Sequence, residues 1–128
     1  MVQQVTDGVS ITVEVFYQPA QSNPLSSEYL FAYRITIENL STMPVKLLRR
    51  HWHIIDSNGS VREVEGEGVV GQQPIIQPGE SHQYVSAANL RSDIGKMHGT
   101  YQMENLYNKK TFLVTIPEFS LIAPFKLN

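Results

Sequence analysis

The pentapeptide Arg49-Arg50-His51-Trp52-His53 holds the densest concentration of reactive side chains in the sequence. On a β-strand, His51 and His53 point to one side while Trp52 points to the other, so the two imidazoles could bind one metal ion. A transition-metal site needs a further ligand, and the candidates are His82, His98 and Asp56. Because a His-x-His pair is a weak signal by itself, we favour the interpretation that His51 and His53 lie on a solvated sheet face.

A second motif is the glycine pattern G-x-G-x-x-G formed by Gly66, Gly68 and Gly71. In dinucleotide-binding proteins this pattern joins a strand to a helix whose free N–H groups bind the pyrophosphate. Pro74 and Pro78 follow too closely for a long helix to begin here, and three nearby glutamates repel phosphate. We therefore predict a glycine-rich crossover or bulge between two sheets. The alternative is an anion site of backbone N–H groups, or a divalent cation held by the acids.

Covalent and acid–base catalysis find little support in the sequence. There is no cysteine, no G-x-S-x-G nucleophile elbow and no convincing Ser-His-Asp set. Glu63 and Glu65 are two residues apart on a predicted hairpin arm, and no desolvated cleft is indicated that would adapt them to acid–base work. We therefore predict a protein that is not an enzyme and needs no cofactor.

The overall composition indicates one globular domain covering residues 1–128. A chain of 128 residues that is 41% hydrophobic is long enough to bury a core. Its formal net charge of -2 excludes a protein that binds nucleic acid through a basic surplus. The lack of cysteine excludes disulfides and thiolate zinc sites. Residues 1–8 do not resemble a signal peptide and no apolar run is long enough for a membrane span, so we expect a cytoplasmic protein.

Alternation of apolar and polar residues with a period of two dominates the chain and predicts β-strands. It runs through Val9–Tyr17, Tyr29–Asn39 and Val45–Asp56. In the third run the apolar positions change parity after Leu47, which predicts a β-bulge. Turn residues at 56–59 then predict a hairpin whose second arm is residues 60–65.

The remaining pattern predicts strands over residues 81–87, 100–106 and 111–116, and one helical turn at residues 90–94. The tail at residues 119–123 either adds an edge strand or lies across the core. About seven to eight short strands, with turns roughly every 8–12 residues, are typical of an antiparallel β-sandwich.

Three residues favour an immunoglobulin-like form of this sandwich. Trp52 is placed as a core tryptophan on the third strand, and Tyr101 stands two residues before the inward-facing Met103. This is the spacing of a tyrosine corner in immunoglobulin domains. The alternative is that the aromatic residues are ordinary members of the core.

Several ordered motifs run through nearly the whole chain. They are Arg50-His51-Trp52, Glu65-Gly66, Gly68-Val69-Val70-Gly71-Gln72, Pro78-Gly79-Glu80, the spaced series Gly95, Met97, Gly99, Tyr101 and Met103, and Ile116-Pro117. Together these motifs resemble the ApaG family. The resemblance implies an immunoglobulin- or fibronectin-III-like sandwich without assigned catalytic residues, in a family associated with cobalt resistance and magnesium efflux.

The resemblance also bears on partners and ligands. Related domains are modules of F-box proteins and of a DNA-polymerase-interacting protein, which implies a role in protein binding. In the family the glycine motif, here Gly66, Gly68 and Gly71, is a proposed site for pyrophosphate or nucleotide.

The expected function is that of an interaction module with a protein partner, present as a monomer or weak homodimer and without nucleic-acid or membrane partners. The alternative is a small-ligand binder, which would use the glycine motif or the His51/His53 face. We predict a partner surface that combines residues 60–65, the glycine motif and the tail, with Phe119 and Leu121 as half-exposed apolar anchors. The opposing interpretation is that the tail closes the core.

Overall fold

The computed structural model, which describes residues 1–127, consists of two antiparallel β-sheets that share one apolar core. The nine strands are β1 (Val2–Thr6), β2 (Val9–Tyr17), β3 (Tyr29–Asn39), β4 (Val45–Asp56), β5 (Val61–Glu67), β6 (Ile75–Ile76), β7 (Ser81–Leu90), β8 (Ile94–Asn105) and β9 (Thr111–Ile122). One sheet has the order β1-β2-β3-β7 and the other the order β5-β4-β8-β9, with β6 also beside β4. The predicted all-β sandwich is confirmed.

The helical content is small. Short 3-10 helices lie at Pro19–Gln21, Pro24–Ser26 and Pro124–Leu127. Within residues 1–127 there is no helix with the length and apolar character that a membrane crossing requires.

The bulge predicted in the third strand lies at Leu48. Leu47 pairs with Met103 on β8 while Arg49 pairs with the adjacent Gln102, so β4 contains one extra residue. In a regular strand Leu47 and Trp52 would point to opposite faces, because they are five residues apart. The extra residue reverses the alternation, so both side chains point into the core. The predicted hairpin is also confirmed, because β5 runs back along β4 in antiparallel register.

Two elements differ from the prediction. The helical turn expected at residues 90–94 is wrong, because β7 and β8 form a hairpin there. The buried Asp56 carboxylate accepts hydrogen bonds from the Arg91 N–H at 2.6 Å and from the Ser92 hydroxyl, which holds a tight turn instead of a helix. The sequence reasoning also missed β1, which is joined to β2 through Asp7 and Gly8, both at positive φ as two-residue hairpin turns require.

A cluster of four aromatic side chains forms the centre of the core. The Trp52 ring lies 5.4 Å from Tyr33 of the other sheet, 5.9 Å from Phe119 and 6.4 Å from Tyr101, measured between ring centroids. The prediction that Trp52, Tyr101 and Met103 are core residues is confirmed, since all three are buried. Tyr101 does not form a tyrosine corner, however, because its hydroxyl bonds the Tyr84 hydroxyl on β7 of the opposite sheet.

The prediction that Phe119 and Leu121 are half-exposed anchors of a partner surface is wrong. Phe119 is 4% exposed and Leu121 is 0% exposed. The reason is a second bulge, in β9: Ile116 pairs with Gly99 but Phe119 pairs with Met97, so β9 has one extra residue near Pro117. The bulge turns the tail inward, so the tail closes the core.

The three parts of the predicted partner surface also do not meet. β5 and the glycine motif lie at one edge of their sheet, whereas the tail belongs to β9 at the other edge, with β4 and β8 between them.

Replacing Trp52 by alanine should lower the free energy of unfolding by about 3–5 kcal/mol, because it removes a large ring that both sheets contact. Equilibrium unfolding in urea measures this. The matched control is Leu113→Ala, at a side chain exposed on β9, which should change stability by no more than about 0.5 kcal/mol. Equal effects of the two substitutions would contradict the central position of Trp52.

Candidate functional site

The sandwich is closed along one side and open along the other. On the closed side β9 contacts β1 and β2, and the Thr115 N–H donates to the Thr6 hydroxyl at 3.3 Å. On the other side lie β5 and β7, each the edge strand of its own sheet. We call the gap between them the β5–β7 cleft.

The cleft contains a cavity of about 460 Å³ that reaches the aromatic core. It exists because β7 places only the small Ser86 and Ala88 opposite Tyr33 and Phe31 of β3, where larger residues would fill the space. Its lining includes Val64 and Glu67 of β5, Tyr84 and Val85 of β7, and Tyr33, Arg50 and Trp52 beneath them. A neighbouring space of about 600 Å³ continues toward Arg62 and Arg91.

Arg50 is the cationic group of the first cavity. The bulge at Leu48 turns Arg50 inward, and its Nη1 donates to the carbonyl oxygens of Glu67 and Gly68, each at 3.0 Å. Gly66 allows this position, because a Cβ there would lie 2.8 Å from Arg50 Nη1. None of the ion pairs in the described part of the chain involves Arg50.

The glycine motif forms a tight turn at the mouth of this cavity. Val69 and Gln72 exchange backbone hydrogen bonds of 2.8 and 3.0 Å, and Val70 and Gly71 between them have φ angles of 47° and 74°. Gly68 cannot carry a side chain, since a Cβ would lie 2.1 Å from the Gln72 carbonyl oxygen. The segment leads into β6 along the same edge of β4, so the predicted crossover between two sheets is wrong.

Val70 is strained and exposed. Branched side chains rarely occupy the left-handed region, and such a residue costs about 1–3 kcal/mol. Val70 is nevertheless 65% exposed and lines the cavity. Strained residues of this kind concentrate at functional sites, which directs attention to the turn.

Three tyrosine hydroxyls converge near Arg50. Burial raises the pKa of Tyr33, Tyr84 and Tyr101, and the positive charge of Arg50 opposes this effect without cancelling it. The three phenols are therefore neutral at physiological pH, and they act as hydrogen-bonding groups rather than as bases.

The outer face of the same sheet carries the histidine motif. His51 Nε2 lies 3.1 Å from a Glu63 oxygen and 3.2 Å from a Glu65 oxygen, and His53 Nδ1 lies 3.8 Å from Glu63. The His98 ring stacks on His53 with centroids 4.8 Å apart. Glu63 and Glu65 were expected to repel phosphate from the glycine motif. Both face away from the cavity.

Of the further ligands considered from the sequence, only His98 comes near the pair. His82 lies on β7 in the other sheet, and Asp56 is buried with its hydrogen bonds to the β7–β8 turn. Sequence reasoning did not recognise Glu63 as a possible metal ligand beside the two histidines. The signal was present in the hairpin, because its register pairs Glu63 with His53 and Glu65 with His51.

The raised pKa values of the three tyrosines predict a loss of stability in alkali. The unfolded chain ionises its tyrosines near pH 10, whereas the folded protein holds these three neutral until higher pH. Their contribution is complete below about pH 10 and is lost as the pH rises through the folded pKa values. A spectrophotometric titration should show three of the six tyrosines ionising only together with unfolding. Reversible ionisation of all six in the folded protein would contradict the burial.

Comparison with known proteins agrees with this architecture. Residues 19–105 match the ApaG domain family. The chain is 45% identical to Protein ApaG of Agrobacterium fabrum over 124 residues, which are 97% of this chain and 95% of that protein. The corresponding identity with Protein ApaG of Brucella canis is 46%, with the same coverage. The crystal structure of a protein called ApaA from Bordetella pertussis is similar, with a TM-score of 0.88 and 42% identity over 91% of this chain and 94% of that one. The chain therefore belongs to the ApaG domain family.

Proposed function

We propose that this domain is a non-enzymatic interaction module that binds an extended segment of a partner protein along the β5–β7 cleft. The observation that carries the proposal is that two edge strands, β5 and β7, lie on the same side of the sandwich with a cavity between them. The outer edge of each strand has backbone N–H and C=O groups available for an added strand.

The contacts across the cleft are few compared with those on the closed side. The Arg62 guanidinium donates to the Asn89 carbonyl oxygen, linking β5 to the end of β7. Deeper in the core, the Tyr84 and Tyr101 hydroxyls bond across the two sheets. An added strand would find the remaining length of both edges accessible.

Apolar side chains around the cleft are left uncovered. Val64 faces inward beside Trp52 in the pairing of β5 with β4, yet it is 40% exposed because β7 does not cover it. Val70 in the glycine turn is 65% exposed, and both valines line the cavity. Covering them would remove apolar surface from water, the main favourable contribution to association.

The charges define the chemistry of the partner segment. Arg50 and Arg62 face the cleft from β4 and β5, and Arg50 has no carboxylate partner within the described residues. A partner segment that alternates apolar residues with a carboxylate would place the apolar residues on the valines and the carboxylate near Arg50. The neutral tyrosines beneath it supply hydrogen bonds, which supports binding rather than acid–base catalysis.

Peptides selected from a displayed random library test this proposal. We expect binders that are extended and acidic, and their addition should shift the amide resonances of β5 and β7. Val64→Glu places a negative charge within the cleft and should weaken binding at least about tenfold, which corresponds to about 1.4 kcal/mol, because it repels the carboxylate of the segment and removes an apolar contact. The control Leu113→Glu, at an exposed position of β9, should bind as the unaltered protein does. Binders that shift only β1 or β9 would refute the proposed surface.

A companion substitution uses the strained turn. Asparagine tolerates the left-handed region better than valine does, so Val70→Asn should stabilise the fold by about 1 kcal/mol. The same change removes an apolar contact and should weaken peptide binding. A variant that becomes more stable and binds equally well would show that the strain at Val70 does not serve this site.

A second candidate function, the binding of a small anion such as pyrophosphate, is favoured by Arg50. Its guanidinium shares the cavity with the hydroxyls of Tyr33, Tyr84 and Ser86. Titration with pyrophosphate should then shift the Gly68 and Ser86 amides, and Arg50→Gln should abolish the shift while Arg62→Gln retains it. Equal responses of the two variants would point to nonspecific attraction.

A further inference from the structure

We propose that His51, His53 and Glu63 bind a divalent transition-metal ion such as zinc. The site lies on the outer face of the β5-β4-β8-β9 sheet. This site is independent of the proposed partner binding, because alternation along β4 puts the histidines on the face opposite Arg50 and the cleft. Its experimental failure would leave the cleft proposal unaffected.

The geometry brings three metal-binding atoms together. One nitrogen of each histidine and one Glu63 oxygen all lie within 4.8 Å of one another. In a tetrahedral site with bonds of about 2.0–2.1 Å, ligand atoms are about 3.3 Å apart. The Glu63 carboxylate already lies between the imidazoles, with one oxygen 3.1 Å from His51 Nε2 and the other 3.8 Å from His53 Nδ1. Glu63 is exposed, so rotation of its side chain can bring its oxygen closer to both imidazoles.

The strand framework determines which residues meet. The antiparallel register of β4 and β5 pairs His53 with Glu63 and His51 with Glu65, so ligands from two strands converge on one face. The His98 ring on β8 stacks on His53 with an interplanar angle of 13°, which limits the rotation of the His53 ring. Restricted ligands lose less conformational freedom when a metal binds.

The ligand types select the class of metal. Two imidazoles and a carboxylate are the set that zinc and similar ions bind, with a fourth position for water or another ligand. Magnesium and calcium prefer sites made of oxygen atoms, so they fit this set poorly. Glu65, with an oxygen 3.2 Å from His51 Nε2, lies close enough to supply the fourth ligand or to bind a metal-bound water.

The charge of the face also suits a cation. Glu63 and Glu65 supply two negative charges next to the imidazoles, and together they match the charge of a divalent ion. Without a metal, the Glu63 carboxylate accepts a hydrogen bond from His51 Nε2 and a Glu65 oxygen lies 3.2 Å from the same nitrogen, so these groups are already close together before an ion arrives.

Titration of the purified chain with zinc chloride, in competition with a chromophoric chelator, tests the proposal. We expect one saturable site with micromolar affinity or tighter. His51→Ala, His53→Ala and Glu63→Gln should each weaken it at least about tenfold, because each removes one of three protein ligands. His82→Ala, which removes a histidine from the other sheet, is the matched control and should leave the affinity unchanged.

Two further measurements separate a real site from nonspecific uptake. The substituted side chains are at least partly exposed, so circular dichroism should show the variants folded as the unaltered protein is. Zinc should shift the ring proton resonances of His51 and His53 and leave those of His82 in place, and magnesium chloride should produce no such change. Zinc binding that is absent, or that is the same in Glu63→Gln and in His82→Ala, would overturn the proposal.

Discussion

Contact between Tyr33 and the rings of Trp52 and Phe119 is the interaction on which the rest of the structure depends. Tyr33 is the cluster's one contribution from the β1-β2-β3-β7 sheet, and it lies 5.4 Å from Trp52 and 5.8 Å from Phe119. Aromatic contacts of this kind bury large areas and hold the two sheets in a defined relation. Because the cluster and the contacts of β9 with β1 and β2 join the sheets, the opposite side can stay open without separating them.

The open side and the histidine face are two surfaces of one strand. Along β4, Arg50 and Trp52 point into the sandwich, while His51 and His53 point out of it. Side chains adjacent in sequence therefore take part in separate chemistry, one set in a cleft lined by tyrosines and valines, the other beside carboxylates in water. Reactive residues are concentrated in residues 49–53 because two separate sites lie on opposite faces of the same strand.

The sequence was sufficient for most of the fold because period-two alternation is a local signal. It placed β2, β3 and β4 at their observed bounds and located the bulge near Leu48. It did not place Phe119 and Leu121 correctly. The bulge near Pro117 exchanges the faces to which the later side chains point, and apolar residues occupy both odd and even positions of this segment, so alternation does not reveal the bulge. The β5–β7 cleft and the proximity of Glu63 to His53 depend on which edges face each other and on hairpin register, so they required the folded chain.

The extra residue at Leu48 makes the length of β4 as informative as its composition. Removal of the extra residue would leave Leu47 opposite Met103 and Arg49 opposite Gln102, so the pairing with β8 would become continuous and Trp52 would still point into the core. Removal of one residue between 50 and 55, where that pairing is already continuous, would turn the side chains on one side of the deletion to the opposite face of the sheet. Length changes in the turn at residues 57–59 would leave that division intact. Descendants of this chain can therefore change length in the hairpin loop or lose the extra residue at the bulge, whereas the continuous pairing from Arg49 to Asp56 admits substitutions but no insertions or deletions.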